Sequence, residues 1–286
     1  MKPIAVHIHI YYPELWPEIR DYLKKLSAFP LILFVTMPTK HESVVADLEA
    51  SEFKYDIQVV ANRGYDVGPF FEVLNRLDLD QYSYLVKLHT KRDIPKKSLR
   101  LRRFEGSGWR DALLTMLKLH NFKSCVKAFE TDKQLGATAY YSLIYRTEPA
   151  DQDCVNRSKA MLNKLGLPST GFAFVAGTMF MCRASLLKPL QQLNYTIDDF
   201  EVHQQHGITT LAHVMERMLG WVITAQGYKL KDCYTPKYIQ LIKNIGAYFY
   251  EVILPFVYFR KKLSNNKKKI TIFGFSYTRY SKGNGQ

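Results

Sequence analysis

Apolar positions along residues 4–93 fall into two alternating periods. Val6, Ile8 and Ile10 alternate with His7 and His9, which predicts a strand over 4–12 with both histidines on one face, buried and hydrogen-bonded in the favoured reading and a metal pair at i, i+2 in the other. Leu15, Ile19, Tyr22, Leu23 and Leu26 follow at helical spacing, and residues 31–35 form a second apolar strand. Val44, Val45 and Leu48 mark another helix, opened by the capping-box pair Thr39 and Glu42. Ile57, Val59 and Val60 end a third strand near Ala61, before the turn-forming Asn62, Gly64 and Gly68. Pro69 suits the start of a helix, whose buried face is Phe70, Val73, Leu74 and Leu77. Tyr84, Leu85, Val86 and Leu88 then read as a strand covered on both sides. This β-α-β-α-β-α-β alternation predicts a parallel sheet with right-handed crossovers. Ligands of such sheets bind beyond the carboxyl ends of the strands, where Arg63, Asp66, His89, Lys91 and Arg92 fall.

Past Asp93 the pattern changes. IPKKSLRLRRFEGSG is basic, with Pro95, Gly106 and Gly108, and predicts a mobile loop or lid. Helices are expected from Trp109, around Phe122–Phe129, over 150–165 with Gly166 as C-terminal cap, over 184–193 and over 209–219. Short strand character appears at 135–140, and residues 172–183 read as one buried strand in which Gly177 marks a close approach. In the last of these helices Glu216 and Arg217 stand three and four residues beyond His213, so these pairs can share a face. Residues 239–259 are apolar and aromatic but interrupted by Lys243, Asn244, Glu251 and Pro255, short of the roughly 20 apolar residues of a spanning helix. With RKKL and NNKKK following, the expectation is an amphipathic helical tail on an anionic membrane; a helix packed on the domain with solvated lysines fits the same periodicity.

The net charge of +14 calls for an anionic partner: a nucleotide phosphate, a nucleic acid or an acidic membrane. No nucleic-acid-binding motif is present, and the lysines cluster in a loop and a tail rather than along one face. Cys125, Cys154, Cys182 and Cys233 have no paired spacing, which fits neither a zinc site nor a disulfide scaffold and points to a reducing cytoplasm. The histidines interrupting the first apolar run argue against a signal peptide.

Five segments carry a resemblance: NRGYDVGPF, KLHTK, the GWR at Gly108 to Arg110, AGTMF followed by Arg183, and LAHxxERMLG at 211–220. In this order, over roughly residues 6–221, they resemble the rhamnan synthesis protein F family of bacterial polysaccharide biosynthesis. The resemblance implies a glycosyltransferase of cell-surface polysaccharide assembly (rhamnan, O-antigen or capsule), passing rhamnose from dTDP-L-rhamnose to a lipid-linked glycan. It would work in the cytoplasm, peripheral on the inner face of the plasma membrane, with no nucleic-acid partner.

The expected fold is α/β and GT-A-like, a Rossmann-type, mostly parallel sheet flanked by helices. Residues 1–93 would be the nucleotide-sugar half and 94–234 the acceptor half of a 1–234 domain, with 235–286 as the tail. Where that fold carries an Asp-x-Asp metal motif, this chain reads His89-Thr90-Lys91. A lysine supplies the positive charge itself, so transfer without metal or other cofactor is expected, although Mg²⁺ or Mn²⁺ stays open. Lys91 would stabilise the leaving diphosphate with Arg63, Arg92 or Arg110, and Asp66 would accept from hydroxyls of the donor. Tyr11, Asn62 and His89 complete the donor set, with Tyr12 beside Tyr11. The acceptor side falls to Gly177, Thr178, Glu201 and Arg217, and the general base to His213 or Glu216, with Glu201 third. EVHQQHGITT, ahead of LAH, departs from the family's pattern. A non-catalytic glycan-binding or scaffold protein of the same machinery is the alternative.

Overall fold

The computed structural model describes residues 1–93, 96–99, 102–105, 107–149, 151–202, 209–249, 253, 257–262, 267–273 and 275–280. Its first part alternates as the sequence predicts: β1 (Ile4–His9), α1 (Trp16–Lys24), β2 (Leu31–Met37), α2 (Glu42–Glu49), β3 (Lys54–Val59), α3 (Val67–Leu74) and β4 (Tyr84–His89). All four strands are parallel, with β1 between β2 and β4 and β3 beyond β2. Every residue of β1 and β4 is buried, so both faces of these strands are covered and their apolar runs are nearly continuous. The capping box expected for α2 does not form: its N-cap is His41, with no side-chain hydrogen bond.

The basic segment read as a loop contains a hairpin, β5 (Lys96–Leu99) and β6 (Arg102–Glu105). Then follow α4 (Gly108–Leu114), α5 (Leu119–Thr131), β7 (Leu135–Thr138), β8 (Ile144–Tyr145), α6 (Gln152–Lys164), β9 (Phe174–Val175), β10 (Phe180–Arg183), α7 (Lys188–Gln191), α8 (Leu211–Ala225) and β11 (Lys229–Leu230). The central sheet has seven strands in the order β11-β7-β10-β4-β1-β2-β3, and β10 runs against both its neighbours. This is the mostly parallel α/β sheet with flanking helices that the sequence predicts.

The single strand expected at 172–183 is two. Gly177 (φ +81°) and Thr178 (φ +51°) both take left-handed backbone, which breaks the run; β9 pairs with β8, and β10 enters the central sheet. The glycine is visible in the sequence but the turn is not, because its polar anchor, Glu216, lies elsewhere in the chain.

The chain divides into two units, Met1–Asp93 with Ser107–Thr235, and Ile94–Gly106 with Pro236–Gln286. The second holds the β5–β6 hairpin, α9 (Lys237–Tyr248) and a three-stranded antiparallel sheet of β12 (Tyr258–Lys262), β13 (Lys267–Ile272) and β14 (Phe275–Tyr280). Where the sequence reading expects a helical tail, the chain has one helix, α9, followed by strands, in which the β-branched and aromatic residues of KITI and FSYTRY stand among polar ones. Residues 250–252 and 254–256 of that expected helix lie outside the described residues, as do 203–208 of EVHQQHGITT. Among the described residues no helix is long and apolar enough to cross a membrane.

Candidate functional site

A polar layer lies on the sheet face beneath α3. The register sets His7 beside Lys87 and His9 beside His89, and Thr36 of β2 beside His9. The Thr36 hydroxyl joins the first two histidines, 3.0 Å from His7 Nε2 and 3.1 Å from His9 Nδ1. Both histidines are thus buried and hydrogen-bonded, as the alternation with valine and isoleucine suggests. Phe70 of α3 covers the layer, its ring 5.3 Å from that of His7 and 5.4 Å from Lys87 Nζ.

Lys87 is completely buried, and its ammonium donates to Asp66 Oδ2 and, at 3.1 Å, to Thr178 Oγ1. The Thr178 hydroxyl donates in turn to Asp66 Oδ2. His89 Nδ1 stands 3.4 Å from the same oxygen, and neither of its ring nitrogens has a hydrogen-bond partner among the described residues. Burial alone would raise the Asp66 carboxyl. The positive charges of His89 (when protonated) and Lys87, with the hydrogen bonds from Lys87 and Thr178, outweigh it and hold the group well below the usual carboxylate range. Burial pushes the Lys87 ammonium down while Asp66 opposes that shift, and burial pushes the His89 imidazole down to about 3. Burial, then the charge of Lys87, lowers His7 in the same direction. The layer at neutral pH therefore contains neutral His7 and His89 around one compensated ion pair.

Two turns place the pair's partners. In NRGYDVG, Gly64 (φ +67°) lies so close to Phe200 that a Cβ would come within 2.6 Å of its ring. Its N–H donates to the Glu201 carbonyl at 3.1 Å, and its own carbonyl accepts from Val67 and Gly68, which sets Asp66 at the start of α3. Arg63 braces this turn, donating to the Phe200 carbonyl at 2.7 Å and to Asp198 at 3.2 Å. At the second turn the Gly177 N–H donates to Glu216 Oε1 at 3.1 Å, and Arg217 donates to Glu216 Oε2 at 2.7 Å and to the His213 carbonyl at 2.9 Å. A Cβ on Gly177 would meet Leu113 at 2.9 Å and Trp109 at 3.1 Å.

Past the carboxyl ends of β1, β2, β3 and β4, a cleft of about 630 Å³ is lined by residues including Tyr11, Tyr12, Thr39, His41, Asn62 and Arg92. Thr90 stitches the strand ends together: its hydroxyl accepts from the Tyr11 and Tyr12 N–H groups at 3.0 and 2.8 Å, and its N–H donates to the His9 carbonyl at 3.0 Å. Arg92 lies 4.2 Å over the Tyr12 ring and pairs with Glu14 at 2.6 Å. The volume is that of a small-molecule site, and β1 and β4 flank the point where the strand order reverses.

The structure thus gathers Asp66, His89, Gly177, Thr178, Glu216 and Arg217 around Lys87, and Tyr11 and Asn62 in the cleft. Lys91 is half-buried one residue past the Thr90 stitch, near enough for its charge to act on Lys87 and His89. The other expected site residues have structural partners. Arg110 is held by Glu18 at 2.7 Å and by Asp93. Glu201 accepts the Leu211 N–H with both oxygens at 2.9 Å, at the start of α8. His213 Nδ1 completes a capping box with Thr210, 2.8 Å from its hydroxyl, and the His213 ring lies 5.9 Å from that of Tyr65. Lys87 is the residue sequence reasoning missed. Its signal was present: a charge inside an apolar strand, two positions from His89 and hence on the same face. Among the described residues no group of three or more His, Cys, Asp or Glu is placed to hold a metal ion, and all four cysteines are free thiols.

A family model described as Rhamnan synthesis protein F matches residues 1–228. Two curated relatives from Xanthomonas campestris pv. campestris, one of strain B100 and one of strain ATCC 33913, both carry the name Uncharacterized protein WxcX. Each is 28% identical over 230 residues, covering 79% of this chain and 32% of the relative. The chain therefore spans about a third of the length of these relatives.

Proposed function

The chain belongs to the rhamnan synthesis protein F family, which implies a part in rhamnan or polysaccharide synthesis, and on that premise we propose that it is a glycosyltransferase binding a nucleotide-sugar donor in the cleft at the strand ends. The observation that carries this reading is the position of the cleft: it lies at the carboxyl ends of the parallel strands, lined by the residues that follow β1, β2, β3 and β4. Tyr11 and Tyr12 offer aromatic faces to a nucleobase and Asn62 an amide to its edge. Arg92 and Lys91 supply positive charge for the diphosphate, in the place an Asp-x-Asp motif would give to a metal ion. All the contacts of Asp66 described above fall on Oδ2, which leaves Oδ1 to accept a sugar hydroxyl. Lys87 does not touch substrate in this scheme; it holds Asp66 ionised and oriented.

The donor is dTDP-L-rhamnose and the acceptor a lipid-linked glycan in this proposal, with inversion at the transferred carbon. The acceptor hydroxyl loses its proton to His213 through Nε2, since Nδ1 serves the helix cap, or to Glu216. A second reading, a glycan-binding or scaffold protein without turnover, is favoured by one observation: Glu201, Glu216, Arg63 and Arg110 all have partners that hold the fold. Calorimetric titration with dTDP-rhamnose, UDP-glucose and GDP-mannose, each with and without Mg²⁺, tests the two. Selective binding of dTDP-rhamnose without metal supports transfer, and failure to bind any donor even with acceptor present leaves the scaffold.

A further inference from the structure

The chain's charge is unevenly held. Residues 94–106 and 236–286 contain fifteen of the forty Lys and Arg and two of the twenty-six Asp and Glu, a net +13 of the chain's +14. The unit that contains the cleft is left with +1. The cationic unit also exposes apolar surface: of the fifteen large hydrophobic residues exposed among the described residues, ten lie within 238–277.

On α9, Tyr238, Leu241, Ile242, Ile245 and Tyr248 recur at helical spacing on one face, and they are 46–64% exposed. Phe249, at the helix end, and Phe273 and Phe275, at the turn between β13 and β14, are exposed as well. Within the antiparallel sheet, the register sets Lys262, Lys268 and Arg279 in one cross-strand row and Lys261 opposite Lys269 in the next. An anionic surface would be drawn to this excess of positive charge, and it would also take up the outward apolar face of the helix.

We propose that this second unit binds an anionic lipid surface: the apolar face of α9 enters the headgroup boundary, and the lysines and arginines supply the attraction. The inference stands independently of the transfer reaction. It assigns the excess charge to a membrane rather than to the nucleotide.

The test is co-sedimentation of the full chain with vesicles of phosphatidylcholine alone and of equal parts phosphatidylcholine and phosphatidylglycerol. Binding to the mixed vesicles alone is expected, lost at 1 M salt, where the screening length falls from about 10 Å to about 3 Å. Lys261→Gln and Lys268→Gln should each weaken it about fivefold, without lowering the urea midpoint. Leu241→Ser with Ile245→Ser should weaken binding to the mixed vesicles at low salt, because the apolar face no longer enters the headgroup boundary. Equal binding to both vesicles, binding to neither, or self-association through α9 that ignores phosphatidylglycerol would each overturn the proposal. Should the serine variant unfold, the lysine variants still decide it.

Discussion

The two units handle charge and apolar surface in opposite ways. In the first, twenty-five Lys and Arg face twenty-four Asp and Glu, most large apolar residues are packed inside, and Lys87, the lysine buried among the described residues, is matched to a carboxylate and a hydroxyl. In the second, positive charge is almost uncompensated and apolar side chains face outward. A net charge summed over the whole chain therefore misdirects: +14 suggests a basic nucleotide site, yet the unit with the cleft is nearly neutral. Charge in that unit acts through position, as a fixed pair, and charge in the other acts through quantity, as a field that salt screens.

The comparison breaks first at Lys87. Lys87→Met leaves Asp66 ionised and buried without its cation, a loss of about 3–5 kcal/mol for a broken buried pair, measured by urea unfolding. Lys87→Met with Asp66→Asn should recover part of that loss, since no lone charge remains. A single variant as stable as the parent would mean that the pair does not hold the knot.

Acid should act on the first unit at the same place. The His89 pKa is pushed down to about 3 in the folded chain against an ordinary value near 6.5. Its contribution is therefore complete above about pH 6.5 and lost as pH falls toward 3, at up to about 1.4 kcal/mol per pH unit. The Asp66 carboxyl, held below its ordinary range, contributes fully above about pH 4 and is lost at still lower pH. His89→Gln should flatten the upper part of this profile by about one proton, as read from stability curves between pH 7 and pH 4; His7 supplies the remaining slope.

A smaller effect is expected at the second turn. Gly177→Ala must place a Cβ at positive φ and 2.9 Å from Leu113, which should cost at least about 1 kcal/mol. It should also loosen Thr178, so the loss in donor affinity exceeds that of a surface variant. The smallest stability change belongs to the second unit, where Lys268→Gln should shift unfolding by no more than about 0.5 kcal/mol while weakening lipid binding. A large destabilisation there would contradict the contrast drawn between the units.

Much of the first unit is legible in the sequence because its signals are local. The alternation of Val6, Ile8 and Ile10 with histidines and the apolar run from Tyr84 to Leu88 give β1 and β4, and Gly64 and Gly68 give the turn before α3. What the sequence hides is pairing over distance. Asp66 is readable as a polar residue at a strand end, but its partners lie 21 residues away at Lys87 and 112 away at Thr178, and no local period links them. His213 shows a subtler limit. Thr210 and His213 occupy the first and last positions of a capping box in which histidine replaces the usual Glu or Gln, so a side chain singled out for proton transfer is partly engaged in starting α8. In the tail, lysine-rich strands after an aromatic helix carry little apolar alternation until Ile270 and Ile272, and the sheet is legible only there.

The most direct test of the central claim is donor affinity with Tyr12 removed. Tyr12 lines the cleft and bears none of the knot's hydrogen bonds. Stacking of a base on an aromatic ring is worth about 1–3 kcal/mol by alanine substitution, so Tyr12→Ala should weaken dTDP-rhamnose binding at least about fivefold with the unfolding midpoint unchanged. Wild type and variant binding the donor with the same Kd would contradict the placement of the nucleotide in this cleft.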